Sequence, residues 1–407
     1  MRNTKYKVPT HFAREKTVRR ASERQTFNAR EASARASGWY WNALDRVPLS
    51  LATSEFSCTM SSRVSPFDRP GFELLRQELR LDPNVVRRLR NDLLKHFVAD
   101  EVALGRFPAA DRVAVHSLEL FHRSDSAVDG ATKLLLKTAA GMLIESVILR
   151  VASGRTALCV SSQVGCAAAC DFCATGKMGI ARNLTSGEIL DQLLIAGQLL
   201  AVEKRTVRNI VFMGMGEPFH NEANLYQTLE ALIAPDLFCH APTKLLVSTV
   251  GVADAMVRCA ERFPTVNLAL SLHSVRQDVR EQLIPLARSY PLDQLRETVR
   301  EINSKTRSPV MIEYLMLAGW NDSEADAREL IAWVSGLRVH VNLIPYNPID
   351  ESPHLHGSDR ATREAFASQL KEAGIETTLR YSLGQDIAAA CGQLVRHENR
   401  RRAIGLS

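Results

Sequence analysis

The stretch Cys166-Ala-Ala-Ala-Cys170-Asp-Phe-Cys173 places three cysteines within eight residues, after a predicted strand and before a predicted helix. A cubane cluster of four irons usually takes four cysteine ligands, so three ligands leave one iron open to a further molecule. A zinc knuckle is one alternative, but this spacing has no evident fourth ligand nearby. Three buried cysteines without a metal are the other alternative. The stretch therefore predicts a [4Fe-4S] cluster held by Cys166, Cys170 and Cys173.

Strands and helices alternate from about residue 156 onward. The candidate strands are 156–162, 209–215, 244–251, 266–274, 309–317 and 339–347, with a last strand at 377–382. Amphipathic stretches such as Gly187–Lys204 and Glu324–Leu337 lie between them. Thr185 and Ser186 cap the first of these helices, with Glu188 in its first turn. Six β-α units with apolar strands predict an α/β fold, a partial (β/α)6 barrel whose chemistry lies just past the strand ends.

Three segments precede the predicted barrel. Residues 1–60 are rich in Arg, Ser, Ala and Thr without a sustained period, which predicts a disordered basic extension. Residues 61–110 have helical spacing and predict a small helical accessory module. Residues 111–155 contain candidate strands at 117–121, 132–136 and 144–149, which predict a short β extension. The barrel then covers 156–385, and 386–407 form a C-terminal loop and a basic tail.

The composition is that of an ordinary globular protein, with 45% apolar and 24% charged residues. No uninterrupted apolar run reaches membrane-spanning length, and the polar, basic N-terminus lacks the apolar core of a secretory signal. We therefore expect a cytoplasmic monomer without a membrane partner. In that reducing compartment the eight cysteines need not pair as structural disulfides.

Positive charge is concentrated at the two ends of the chain. The formal net charge is +6, and the first 36 residues hold ten Lys or Arg against three Glu. The tail from Arg396 to Arg402 is also basic. Frayed, solvated ends are one interpretation, and contacts to nucleic-acid phosphates are the other. We expect basic residues of the helical module and of Arg400 to Arg402 to contact phosphates.

Four further stretches identify a family. They are Leu158-Cys-Val-Ser-Ser-Gln-Val-Gly-Cys166, Met213-Gly-Met-Gly-Glu-Pro218, Ser271-Leu-His273 and Ala389-Ala-Cys-Gly-Gln-Leu394. Together with the cysteine stretch they closely resemble the RlmN/Cfr family of radical S-adenosylmethionine (SAM) methyltransferases, which modify an adenosine of large-subunit (23S) ribosomal RNA. The resemblance runs from about residue 70 to 396. It implies a radical SAM barrel in which SAM chelates the open iron and is cleaved to a 5′-deoxyadenosyl radical.

The resemblance also implies a set of SAM contacts. These are Gly216, Glu217, Ser248, Ser271, Leu272, His273 and Asn347, all close to strand ends. A carboxylate at Glu217 can hold the SAM amino group, and a glycine beside it permits close backbone approach. The alternative is that a Ser or Asn at a strand end caps the next helix or turns the chain. Phe172 is expected either to pack on the adenine or to have an ordinary packing role.

Catalytic roles for Cys391, Cys159 and Glu145 follow from the same resemblance. Ordinary methyl transfer to an electrophilic adenine carbon is unfavourable, so the family first methylates the residue that corresponds to Cys391. A second SAM supplies the radical that removes hydrogen from this S-methyl group, and the resulting carbon radical adds to the base. Glu145 aligns with the proposed base, with one extra residue between it and Cys159. Cys159 then attacks the Cys391 sulfur, which forms a disulfide and frees the methylated RNA. The alternatives are simply buried cysteines and a surface carboxylate.

The exact target carbon is open at this stage. Carbon 2 of adenine is favoured, and carbon 8, the antibiotic-resistance variant, is the alternative, because 236–238 and 340–344 resemble both branches equally. The family usually has an acidic residue where this chain has Ala388, whereas Asp386 is retained. A different radical SAM reaction would not need Cys159 and Cys391, and a non-catalytic zinc RNA-binding module is the third alternative.

Several other predictions complete the interpretation. An electron donor such as a flavodoxin is an expected partner, and tRNA is a possible second substrate beside rRNA. Cysteines and histidines outside these motifs are expected to be incidental or structural; they are Cys58, Cys239, Cys259, His240 and His340.

Overall fold

The computed structural model describes residues 63–151 and 153–393. The predicted basic extension, residues 1–60, and the basic tail with Arg400 to Arg402 lie outside the described residues, as does Cys58.

Three short helices begin the described part of the chain: α1 (Arg69–Glu78), α2 (Pro83–Leu94) and α3 (Asp100–Leu104). Aspartates cap the first two, since the Asp68 and Asp82 side chains accept hydrogen bonds from backbone N–H groups in the first turn. Helices therefore occur where the sequence has helical spacing. The boundaries of the accessory module remain a prediction.

An antiparallel ribbon follows, made of β1 (Leu118–Asp125), β2 (Ala131–Thr138) and β3 (Leu143–Arg150). The three candidate strands predicted here are confirmed, and each is longer than predicted. Six of the eight residues of β3 are buried, on both of its faces. The ribbon is therefore part of the protein core.

The rest of the described chain alternates between strands and helices. The elements are β4 (Thr156–Cys159), β5 (Gln163–Cys166), α4 (Ala174–Lys177), β6 (Gly179–Asn183), α5 (Ser186–Val202), β7 (Asn209–Phe212), α6 (Glu222–Ile233), β8 (Leu245–Thr249), α7 (Ala253–Arg262), β9 (Asn267–Ser271), α8 (Gln277–Leu283), α9 (Leu292–Lys305), β10 (Val310–Met316), α10 (Glu324–Val334), β11 (Val339–Pro345), α11 (Arg360–Glu372) and β12 (Thr377–Leu379).

One ten-stranded sheet joins the ribbon to the barrel strands, in the order β1-β2-β3-β4-β7-β8-β9-β10-β11-β12. β3 pairs antiparallel with β4, and the remaining pairings of this sheet are parallel from β4 through to β12. β5 and β6 form a separate antiparallel pair. Because parallel strands end on the same side, their carboxyl ends form one rim. This architecture confirms the predicted α/β partial barrel.

All seven predicted barrel strands end earlier than expected, by one to three residues. Strands predicted over 156–162 and 209–215 end at Cys159 and Phe212. The chain beyond them remains hydrogen-bonded outside the regular ladder, since Val160 N–H donates to Val211 O at 3.0 Å. The residues after these two strands, 160–162 and 213–215, are buried or half-buried but do not form strands. Their burial explains why the sequence stays largely apolar beyond the strand ends.

The cap predicted for the long helix α5 is confirmed as a capping box. The Thr185 hydroxyl accepts a hydrogen bond from Glu188 N–H at 3.2 Å, and the Glu188 carboxylate accepts one from Thr185 N–H at 2.9 Å. Among the described helices, none has the length and apolar character required to cross a bilayer.

Candidate active site

The cysteine loop begins at Cys166, the last residue of β5, and ends at α4. The Asp171 backbone N–H donates to Leu283 O at 2.9 Å, and its side chain forms an ion pair with Lys177 and a hydrogen bond with His354. These contacts fix the loop between two neighbouring parts of the rim. Cys170 is buried, and Cys166 and Cys173 are half-buried.

The three thiols are close enough to influence one another. Burial raises the pKa of Cys166 to about 12, and it raises the pKa values of Cys170 and Cys173. Charges at Cys166 and Cys173 raise the pKa of Cys170 further, and a charge at Cys173 contributes to the raised pKa of Cys166. Metal ligation requires thiolates, so this loop needs a bound positive charge to hold all three in that form.

A cavity of about 160 Å³ lies against these cysteines at the strand rim. Cys166, Cys170 and Cys173 line it together with Gly216, Glu217, Ser248, Ser271 and His273. In the described chain, no three His, Cys, Asp or Glu side chains converge on a single metal ion. A cubane does not require such convergence, because each cysteine binds a different iron. The three cysteines of this lining are therefore a donor set that suits a cluster with one open iron.

Gly216 and Glu217 form one part of the second wall. Gly216 has a φ of 102°, and a Cβ added there would lie 2.6 Å from Gln163 Cβ. Only glycine fits this backbone without displacing the neighbouring segment. The buried Glu217 carboxylate accepts hydrogen bonds from Val250 N–H at 2.9 Å and Phe219 N–H at 3.1 Å. Burial raises the pKa of Glu217 to about 7.

The next part of the wall opposite the cysteines is formed by Ser248, Ser271 and His273. The two serine hydroxyl oxygens are 3.4 Å apart across β8 and β9. His273 Nδ1 accepts a hydrogen bond from Leu315 N–H at 3.0 Å, and burial lowers the pKa of His273 to about 3. Its ring is neutral and packs edge-on against Phe172, with ring centroids 4.7 Å apart. Phe172 thus has a packing role, and its contact with adenine remains a prediction.

Two predicted SAM contacts lie outside the lining of this cavity. Leu272 is fully buried, and its carbonyl accepts a hydrogen bond from Arg280. The Asn347 amide donates to Cys391 O at 3.0 Å and accepts from the Gln385 amide at 2.8 Å. Asn347 therefore holds the loop that carries Cys391. Contact of Leu272 and Asn347 with SAM remains a prediction.

A second cavity of about 710 Å³ adjoins the first, inside the partial barrel. Cys159 is buried in its wall, whereas the exposed Cys391 lines both cavities. Burial, together with the proximity of Cys391, raises the pKa of Cys159 to about 12. Both cysteines are free thiols in this structure. A disulfide between them remains a proposal about the reaction cycle.

Glu145 lies on β3 and does not line either cavity. It shares a face of that strand with Val147 and Leu149, which do line the larger one, because alternate residues point the same way. Its side chain is 1% exposed, and one carboxylate oxygen is 3.9 Å from Lys133 Nζ. Glu145 is thus a buried carboxylate that lies behind the cavity lining, next to Val147 on the same face of β3.

Arg380 and Glu313 belong to the site, but sequence reasoning missed them. The half-buried Arg380 lines both cavities, and the proximity of Cys391, Glu313 and Cys159 raises the pKa of its guanidinium. Glu313 is buried on β10 and accepts a hydrogen bond from the Asn342 amide at 2.7 Å. Arg380 directly follows β12, so the rule that chemistry lies past strand ends could have found it.

Of the residues predicted to be incidental, those that the structure describes line neither cavity. Cys239 is exposed and Cys259 is buried on α7. His240 Nε2 is 3.0 Å from Arg208 O, and His340 Nε2 is 2.7 Å from the Thr378 hydroxyl.

Known proteins resemble this chain in both sequence and structure. Residues 160–331 match the Radical SAM superfamily. The chain is 60% identical over 338 residues to a Rhodopirellula baltica protein named "Probable RNA methyltransferase", across 83% of this chain and 89% of that protein. It is 42% identical over 266 residues to the Thermus thermophilus "Probable dual-specificity RNA methyltransferase RlmN", across 65% of this chain and 74% of that protein. The crystal structure of a radical SAM methyltransferase from Sphaerobacter thermophilus superposes with a TM-score of 0.76 at 36% identity, covering 80% of this chain and 96% of that chain.

Proposed function

This chain belongs to the RlmN/Cfr family of radical SAM RNA methyltransferases, and we propose that it methylates carbon 2 of an adenosine in 23S rRNA. Cys391 carries the methyl group during the reaction, and two SAM molecules are used per turnover. The observation that carries this proposal is that Cys391 lines both cavities. One thiol can therefore face SAM on one side and the target base on the other.

The smaller cavity fits the cofactors, with Cys166, Cys170 and Cys173 as cluster ligands. Gly216, Glu217, Ser248, Ser271 and His273 supply the SAM contacts. When bound, the cluster provides and takes back one electron, while SAM provides the methyl group and removes a hydrogen atom from it. Glu217 suits a SAM contact, because its carboxylate can accept a hydrogen bond from the SAM amino group.

The larger cavity fits the target base and the second thiol. Cys391 Sγ forms a bond to the methyl carbon of the first SAM as the sulfonium bond breaks. After hydrogen removal, this carbon bonds to C2 of adenine, and Glu145 accepts the C2 proton. The Cys159 thiolate then attacks Cys391 Sγ. The carbon–sulfur bond breaks with its electron pair on carbon, which takes up a proton to become the methyl group, and a Cys159–Cys391 disulfide remains.

Arg380 supports the thiol chemistry through its charge. A buried Cys159 resists ionisation, and the Arg380 guanidinium partly offsets the effect of burial on its pKa. Exchange requires a thiolate and an accessible sulfur. The exposed Cys391 supplies the accessible sulfur, and Cys159 beside Arg380 supplies the attacking thiolate.

Nucleoside mass spectrometry of rRNA tests this function. The rRNA is purified from a strain that lacks the gene, complemented with the wild-type chain or with Cys391→Ala as the matched inactive control. 2-Methyladenosine with the wild-type chain alone supports the proposal. 8-Methyladenosine would instead assign the Cfr-type reaction, and unmodified adenosine in both strains would refute RNA methylation at either carbon. The same digestion of tRNA tests it as a second substrate. The flavodoxin donor, the monomeric state and the phosphate contacts remain predictions.

A further inference from the structure

Arg280 is a buried cation without a carboxylate partner. It lies on α8 and is fully buried, with 0% of its surface exposed. In the described chain, no Asp or Glu forms an ion pair with it, and its Nη1 atom has no hydrogen-bond partner. An isolated charge in a protein interior is unfavourable unless an opposite charge or hydrogen bonds compensate it. Two hydrogen bonds to carbonyl oxygens compensate this charge in part, and an anion near Nη1 would compensate the remainder.

The rest of the guanidinium connects two segments of the strand rim. Arg280 Nε donates to Leu272 O at 3.1 Å, and Nη2 donates to Val250 O at 2.6 Å. Leu272 lies between Ser271 and His273, and Val250 follows β8 two residues after Ser248. Since Val250 N–H donates to Glu217, a single peptide segment links the guanidinium to that carboxylate. Arg280 thus joins both segments that carry the proposed SAM contacts.

Cys170 lies close to this guanidinium. It packs in one apolar cluster with Val279 and Leu283, which are on the same helix as Arg280. The residue after Cys170, Asp171, donates its backbone N–H to Leu283 O at 2.9 Å, which ties the cysteine loop to α8. Val250, whose carbonyl accepts a hydrogen bond from Arg280, lines the same cavity as Cys170. The guanidinium therefore lies behind the wall of the cavity that the three cysteines line.

We propose that Arg280 is a positioning residue that supplies a fixed positive charge behind the cluster held by Cys166, Cys170 and Cys173, and that it raises the reduction potential of this cluster. Three thiolates make the bound cluster anionic, and reduction adds one more electron. A buried cation favours the more negative state, because screening by water is weak in the interior. This inference rests on the proposed cluster but not on the identity of the RNA substrate.

The test is an anaerobic redox titration of the purified full-length holoenzyme, followed by electron paramagnetic resonance without RNA. The variants are Arg280→Gln, which removes the charge, and Arg280→Lys, which retains it. The matched control is Arg296→Gln, because Arg296 also donates to two carbonyls, Trp333 O and Ser335 O, both at 2.7 Å, but lies on α9. At the wild-type midpoint, we expect Arg280→Gln to lower the ratio of reduced to oxidised cluster at least about tenfold, a shift of ~59 mV to more negative potential. We expect a smaller shift for Arg280→Lys and none for Arg296→Gln.

Iron content distinguishes the remaining outcomes. Arg280→Gln with wild-type iron and a wild-type midpoint would overturn the inference. If Arg280→Gln binds no iron while Arg280→Lys does, the charge is needed to retain the cluster, which supports it. If both variants fold but bind no iron, the planar hydrogen-bonding group matters rather than the charge, and the inference fails. A wild-type chain without any cluster would refute the proposed function itself.

Discussion

The Asp386 carboxylate accepts a hydrogen bond from the Ser126 hydroxyl at 2.8 Å, although the two residues are 260 positions apart in sequence. It also accepts one from Ala127 N–H at 3.0 Å. Nearby, Gly384 N–H donates to the Asp129 carboxylate at 2.7 Å. The turn between β1 and β2 therefore holds the loop that carries Cys391. This contact connects the β extension to the catalytic thiol.

Removing this tether should misplace Cys391 without affecting the cluster. We expect Asp386→Ala to slow RNA methylation roughly 10- to 100-fold, because small displacements of a reacting group have effects of this size. Its iron content should equal that of the wild type, since Asp386 does not line the cluster cavity. Single-turnover methylation of an rRNA fragment measures the effect.

The control for this prediction is Glu372→Ala, because Glu372 is an exposed acidic residue at the end of α11. Wild-type rates for Asp386→Ala would show that the Asn347 and Lys133 contacts to the loop suffice without it.

Gly216 should not tolerate a side chain. In Gly216→Ala the new Cβ would lie 2.6 Å from Gln163 Cβ and 2.9 Å from Gln163 N, at a backbone angle that alanine rarely adopts. The Gln163 side chain also accepts a hydrogen bond from Glu217 N–H. Displacement of Gln163 would therefore move Glu217, whose carboxylate is proposed to contact SAM. Strain of about 1–3 kcal/mol, if it opposes SAM binding in full, corresponds to roughly 5- to 150-fold weaker binding. Equilibrium dialysis with labelled SAM measures this.

Gly336→Ala is the matched control for that experiment. Gly336 has a φ of 74°, and an added Cβ there would meet no atom within 4 Å. It therefore carries the backbone strain without the contact. Equal SAM affinity in Gly216→Ala and Gly336→Ala would contradict the assignment of Gly216 to the SAM site.

The local parts of the fold and site could be predicted from the sequence, whereas the long-range contacts could not. Strand and helix positions follow from apolar periodicity within short windows, and the cysteine loop is contiguous. Arg280 could not be identified in this way, because an arginine on a helix is usually exposed. Only the packing of α8 in the folded protein buries it. Asn347 and Asp386 likewise gain their partners from segments far away in sequence. Cys159 and Cys391 line one cavity, and the shape of that cavity depends on the curvature of the whole sheet.

His116 should make stability depend on pH. Its Nδ1 atom is 2.6 Å from Asp191 Oδ1, and its Nε2 atom is 3.0 Å from Asp100 Oδ2, so it connects α3 to α5. Burial alone would lower the pKa of His116, but the hydrogen bonds to Asp100 and Asp191 raise it from 6.5 to about 10. Because the folded-state pKa exceeds the unfolded value, this stabilisation is complete below about pH 6.5 and is lost as the pH rises through about 10.

We expect His116→Ala to lower the free energy of unfolding by roughly 2–3 kcal/mol at pH 6, because His116 is half-buried but its removal takes a charged partner from the buried Asp191. The difference from the wild type should shrink steadily towards pH 10. Urea unfolding at several pH values measures both effects. His122→Ala is the control, because His122 is exposed on β1. A difference between His116→Ala and the wild type that is independent of pH would mean that the charge of His116 does not contribute to stability.

The covalent mechanism predicts different phenotypes for Cys159 and Cys391, although both alanine variants should be inactive. Without Cys391 no methyl carrier exists, so Cys391→Ala can form no bond to RNA. Cys159→Ala can still methylate Cys391 and attack the base, but no second thiol remains to release the product. It should therefore accumulate as a protein–RNA adduct linked through Cys391.

The measurement is a denaturing gel of each variant purified from cells, with and without ribonuclease. Cys239→Ala serves as the control, because Cys239 is exposed and lies outside both cavities. Two merely structural cysteines would show no such asymmetry. Cys159→Ala without an adduct, under conditions in which the wild type methylates RNA, would exclude the covalent route through Cys391.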